Sequence, residues 1–96
     1  MITDFKDQAT ADLFHGVISR KALRISRELW PVVRRKLDML NAASDLRDLR
    51  IPPANRLEEL KGGLKGFHSI RINDQYRILF RWSQQNASDV QITDYH

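Results

Sequence analysis

The final triplet, Asp94-Tyr95-His96, sets a carboxylate, a phenol and an imidazole side by side. Such a set is suited to moving protons near neutral pH. Composition alone reads the same triplet as a frayed terminus. A second group is cationic: Arg71, Arg77 and Arg81 lie in the C-terminal part, and Lys61 and Lys65 flank Gly62-Gly63 just before them. Arginine offers phosphate a planar fork, and lysine offers a point charge on a flexible stem. One exposed arginine is better read as solvated or ion-paired, and Asp89 could neutralise one of these. Three arginines and two loop lysines among few acids point to phosphate instead. Phe67 and Tyr95 are the aromatics available to stack on unpaired bases beside them. His68 is expected to be buried or at a sheet margin. No His, Asp or Glu spacing suggests a metal site, and no cofactor is expected.

Two kinds of element must position these side chains. Residues 5–43 read as helical and residues 55–95 as strands. Ala9, Leu13, Phe14 and Val17 recur at helical spacing, with Gly16 as a left-handed cap. Val33, Leu37 and Leu40 form the stripe of a second helix over about residues 28–43. Either Ser26 caps its start, or Pro31 opens it as the first helical residue. Asp45–Arg50 is a charged connector, and Pro52-Pro53 stops any helix. The period then becomes two. Residues 66–72 and 76–82 alternate about an Asn73-Asp74 turn, a polar loop spans Ser83–Ser88, and a last strand runs from Asp89 to Thr93. Residues 55–59 are expected to add one strand more.

Alternation sorts the strands into two faces. Ile70, Ile72, Tyr76, Ile78, Phe80, Trp82, Val90 and Ile92 form an apolar face, which also carries His68. Ser69, Arg71, Arg77, Leu79, Arg81, Gln91, Thr93 and Tyr95 form a polar, arginine-rich one. The expected fold is α+β, with two N-terminal helices packed on one face of an antiparallel sheet and the other face open.

The whole chain, 1–96, is expected to be a single domain. It has no cysteine, which excludes disulfides and thiolate catalysis. No apolar run is long enough to span a bilayer, so a soluble, cytoplasmic protein is expected without a membrane partner. The net charge of +4 fits a polyanionic partner or a merely solvated basic surface.

From Asn55 onward the sequence resembles the HigB branch of the RelE/ParE toxin superfamily. Arg56-Leu57-Glu58-Glu59-Leu60-Lys61-Gly62 resembles the family's Leu-x-x-Leu-Lys-Gly segment. Ser69-Ile70-Arg71-Ile72-Asn73-Asp74-Gln75-Tyr76-Arg77-Ile78 resembles its hairpin, and Asp94-Tyr95-His96 resembles its characteristic ending. The three pieces are specific in this order and spacing, over about the last forty residues. The resemblance implies a RelE-like toxin of a type II toxin–antitoxin pair, which enters the ribosomal A site and cuts mRNA there. It also implies a helix-turn-helix, HigA-like antitoxin as partner. Its functional positions fall on Lys61, Arg77, Asp94, Tyr95 and His96, with Lys65, Arg71, Arg81 and Phe67 as further RNA contacts. Glu58 stands where such toxins often carry a histidine, and it reads equally as a base or as an edge-strand surface residue.

Metal-independent cleavage of this kind uses the ribose 2′-OH as nucleophile. It needs a base, a cation on the phosphate and an acid for the leaving oxygen. Two other functions fit the same residues: a non-enzymatic ParE-like gyrase inhibitor, and an RNA- or ribosome-binding module with weakened cleavage.

Overall fold

The computed structural model describes residues 1–94. Its first helix, α1 (Gln8–His15), begins where the Asp7 carboxylate accepts from the Thr10 amide at 2.8 Å. It ends at Gly16, whose φ of 73° is the left-handed conformation that glycine adopts without strain. Ala9 and Leu13 are buried as their spacing predicts, whereas Val17 lies beyond the helix and is exposed.

The helical reading of residues 5–43 needs correction on both sides of α1. Residues 17–29 hold only two 3-10 turns, Ala22–Arg24 and Arg27–Leu29. Ser19 Oγ accepts from the Ala22 amide at 3.1 Å, a local side-chain bond of the kind that competes with a regular helix. Helix α2 spans Trp30–Ala42 with Pro31 in its first turn, where a missing N–H costs nothing. Proline therefore opens the helix, and Ser26 precedes the 3-10 turn without capping through its side chain. The charged connector is itself folded. Asp45 and Asp48 form a capping box on a 3-10 turn, Leu46–Arg50, and bury Leu49 completely.

The described residues form one antiparallel sheet in the order β1 (Glu58–Glu59), β2 (Phe67–Arg71), β3 (Tyr76–Ser83), β4 (Asn86–Asp94). The strand expected over residues 55–59 shrinks to two residues. Pro53–Asn55 is a 3-10 turn, and Arg56 leaves it in a left-handed conformation. The loop expected over residues 83–88 is instead a tight hairpin turn. Gln84 and Gln85 both have positive φ, 51° and 66°, so β4 starts at Asn86. A bulge at Asp89 (φ 51°) then inserts one residue between the Arg81–Ser88 and Leu79–Gln91 pairs. The extra residue lets both Ala87 and Val90 reach the core.

Helix residues Leu13, Val33, Leu37 and Leu40 share one core with Ile70, Ile78, Phe80, Val90 and Ile92. The apolar face is thus the covered one. The outer edge of β4 is not left open either. Ile2 and Phe5 bridge Ala87 and Val90 in parallel, with Thr3 and Lys6 amides donating to the Ala87 and Val90 carbonyls at 2.8 and 2.9 Å. Thr10 Oγ1 of α1 accepts from the Ile92 amide at 3.1 Å.

Candidate functional site

The register of β2 against β3 pairs Phe67 with Arg81, Ser69 with Leu79 and Arg71 with Arg77. Because paired residues project to the same side, all six share the face away from the main core. Glu58 joins them through its pairing with Ser69, and Gln91 and Thr93 through theirs with Leu79 and Arg77. The segregation expected from alternation is therefore present, but the face is not open throughout. Leu60, Phe67 and Leu79 form a second buried apolar cluster on it.

Arg77 departs furthest from expectation. It was expected to project into solvent, yet it is 8% exposed. Its Nε donates to Ser69 Oγ at 2.8 Å, and one terminal nitrogen donates to the Arg56 carbonyl at 2.6 Å. The Glu58 carboxylate, on a half-exposed side chain, stands 4.0 Å from that same nitrogen. Arg77 is thus a fixed cation in the floor of the face, with a carboxylate above it. Two bonds from one planar group also fix its orientation.

The other cations differ in how far they are committed. Arg71 pairs with Asp74 across the hairpin turn. Arg81 Nε lies 3.3 Å from Asp89, as the sequence allowed, and its guanidinium sits 4.3 Å from the centroid of the Phe67 ring. A methyl group at Gly66 would fall 2.8 Å from an Arg81 nitrogen, so glycine makes room for that lid. Phe67 is therefore buried beneath Arg81, and no free ring face is offered to a base there. Lys61 and Lys65, flanking the 3-10 turn Gly62–Leu64, are exposed. Among the described residues neither has a carboxylate within ion-pairing reach.

The terminal triplet is only partly within view. Asp94 lies opposite Tyr76 in the register, on the helix-bearing side, while its neighbour Thr93 lies opposite Arg77. The Asp94 carboxylate accepts from Gln75 Nε2 at 3.1 Å and lines a cleft of about 190 Å³ with Arg24, Ile25, Tyr76 and Ile92. Tyr95 and His96 lie outside the described residues. His68 is half-buried on the core side, stacked on Phe80 at 5.8 Å. Among the described residues no cluster of His, Asp and Glu could hold a metal ion, and no helix is long and apolar enough to cross a membrane.

Sequence reasoning missed the supports of Arg77. Ser69 was legible, since alternation puts it on the same face. The Arg56 carbonyl was not, because it depends on a left-handed backbone at a non-glycine residue. Behind it, Asn55 is fully buried and Lys36 nearly so, and Lys36 Nζ donates to Asn55 Oδ1. Burial holds the Lys36 ammonium below its usual range, with Arg35 and Arg71 adding repulsion.

Comparison with known proteins agrees with this arrangement. Residues 3–96 match the family model of the HigB-like toxin, described as the RelE-like toxin of the type II toxin–antitoxin system HigB. The chain is 42% identical over 82 residues to Toxin HigB-1 of Vibrio cholerae serotype O1, spanning 85% of this chain and 84% of that one. In structure it is similar to the YoeB toxin in the YoeB–YefM complex from Staphylococcus aureus (TM-score 0.61, 14% identity, 100% of this chain and 98% of that one). It is similar also to the YoeB/ParE toxin from Agrobacterium tumefaciens (TM-score 0.56, 19% identity, the whole of both chains). At those identities the structural likeness speaks for the RelE/YoeB-like α+β fold alone. The family match and the sequence relative go further: the chain belongs to the HigB-like toxins, RelE-like toxins of type II toxin–antitoxin systems.

Proposed function

We propose that this toxin is a ribosome-dependent endoribonuclease that cuts mRNA in the ribosomal A site, and that it needs no metal ion to do so. The observation that carries the reading is the Glu58–Arg77 pair. A carboxylate stands 4.0 Å from a guanidinium whose orientation is fixed by Ser69 and the Arg56 carbonyl, on a face rimmed by Lys61 and Lys65. A base beside a preoriented cation is what 2′-OH attack on phosphorus requires.

The step balances within the RNA. A base takes the 2′ proton, the 2′ oxygen bonds to the adjacent phosphorus, and the phosphorus–O5′ bond breaks. The products are a 2′,3′-cyclic phosphate and, once an acid supplies a proton, a free 5′-OH. Glu58 is the base in this reading, and Arg77 with Lys61 stabilises the charge growing on the phosphate. Asp94, Tyr95 and His96 position the nucleotide and handle protons, as the family ending implies. Lys65, Arg71 and Arg81 contribute attraction for the RNA backbone rather than chemistry. Phe67 supports Arg81 from below.

The toxin acts in the cytoplasm and is held inactive by a small helix-turn-helix antitoxin of the HigA kind. The YoeB–YefM complex offers the general precedent of a toxin of this fold bound to its antitoxin. Primer extension on message isolated after induction tests the reading. Cuts in phase with codons are expected, absent when translation initiation is blocked. Intact message with gyrase-linked DNA damage, or ribosome binding without cuts, would overturn it.

A further inference from the structure

We propose that Lys36 and Asn55 are positioning residues for the Arg77 guanidinium, acting through the backbone of Arg56; the catalytic part of this inference rests on the endoribonuclease reading above. Arg77 is oriented partly by the Arg56 carbonyl, 2.6 Å from its terminal nitrogen. That carbonyl belongs to a residue in a left-handed conformation, φ 46° and ψ 57°, which an arginine does not favour on its own. Something must hold the segment there, and the residue immediately before it does. Asn55 is completely buried, and its Nδ2 donates to the Leu49 carbonyl at 3.1 Å and the Ile51 carbonyl at 3.4 Å, with Met39 Sδ at 3.2 Å. Its Oδ1 accepts from Lys36 Nζ, which reaches it from α2 and is itself 6% exposed.

A continuous path therefore runs from α2 through Lys36 and Asn55 to the Arg56 carbonyl, and from there through Arg77 to Ser69 on β2. It joins the covered side of the molecule to the face that carries Glu58. The use of a lysine is informative. Burying an ammonium against a neutral amide is costly, and an apolar residue would fill the same space at less cost. An apolar side chain would not fix the Asn55 amide, whose orientation decides which way its donors point.

Lys36→Met keeps most of the buried stem and removes only the donor. Two readouts on the purified toxin test the inference: the Arg77 Nε–H resonance by 15N NMR, and single-turnover cleavage on ribosomes programmed with a defined mRNA. In the wild type that proton is expected to exchange slowly, since it is buried against Ser69. In Lys36→Met the slow signal is expected to be lost. Cleavage is expected to fall about 10- to 100-fold in rate at saturating toxin, with the half-saturating concentration changing less than about twofold. Leu13→Val, a core change on α1, controls for general loosening and should preserve both. Asn55→Asp, which keeps an acceptor for Lys36 and loses the donors to Leu49 and Ile51, should reproduce the loss of the Arg77 signal if Lys36→Met does not fold. A slow Arg77 signal persisting in either folded variant would overturn the inference, as would an equal loss in Leu13→Val. A wild type that cuts no ribosomal mRNA would instead remove the endoribonuclease reading and leave the NMR comparison to decide the positioning role.

Discussion

Arg77 and Glu58 face each other but stand in different relations to the fold, and their substitutions should separate accordingly. Arg77→Ala leaves Ser69 Oγ and the Arg56 carbonyl without their donor in a site only 8% exposed. A loss of about 3 kcal/mol in stability is expected together with loss of cleavage, read from urea unfolding beside the ribosome assay. A variant of wild-type stability would mean that those two bonds are not held in solution. Glu58→Gln changes a half-exposed side chain on a two-residue strand, so stability should move by less than about 0.5 kcal/mol. Cleavage should nonetheless fall sharply, because the amide is no base. Unchanged cleavage would assign Glu58 to the surface and leave the base to the terminal triplet.

The elements of this fold are short, and side chains finish the hydrogen bonding that the backbone leaves open. Strand β4 illustrates the point: the N-terminal segment covers part of its outer edge, and Thr10 of α1 accepts the Ile92 amide. Thr10 is completely buried. Thr10→Val preserves shape and removes the acceptor, so the amide is left unpaired at a cost of about 1–3 kcal/mol. Amide hydrogen exchange should show Ile92 losing protection. If its protection stays at the wild-type level, the edge is held by the N-terminal segment alone.

For the molecule as a whole, two effects of charge are expected. The first is on stability. The Asp12 carboxylate accepts from Ser19 Oγ at 2.6 Å and Gln8 Nε2 at 2.7 Å, and these bonds, that from Ser19 foremost, hold it below the ordinary value of 3.8. A carboxyl lowered in the folded state binds fewer protons there than in the unfolded chain. Its contribution is therefore complete above about pH 4 and is lost as the pH falls through the folded value. Asp12→Asn should flatten the acid limb of a stability–pH curve, and an unaltered limb would contradict the assignment. The second effect is on binding. Lys61 and Lys65 are exposed, so each replaced by alanine should lower the salt dependence of binding to a single-stranded oligoribonucleotide by about one unit of slope. Equal slopes in wild type and variants would place the RNA elsewhere.

Periodicity determined more of this protein than its short elements would suggest. A period of two fixes which side of a strand each residue occupies, so the sequence alone placed Ser69, Arg71, Arg77, Leu79 and Arg81 on one face and the core residues on the other. The Gly16 cap and the proline-first start of α2 were equally local, because each depends on one residue's backbone preference. Pattern along the chain also marked Lys61, Glu58 and the terminal triplet. Only the tertiary structure decided how deep these residues lie and what holds them. Alternation assigns a side but not a cover, and the cover here comes from Leu60 and from the carbonyl of Arg56, at positions the period does not reach. The burial of Arg77, the Arg81 lid on Phe67 and the Lys36–Asn55 bond each join residues far apart in sequence. Such contacts exist only once the chain has closed on itself, which is why the sequence named the cation but could not show it as the fixed floor of a site.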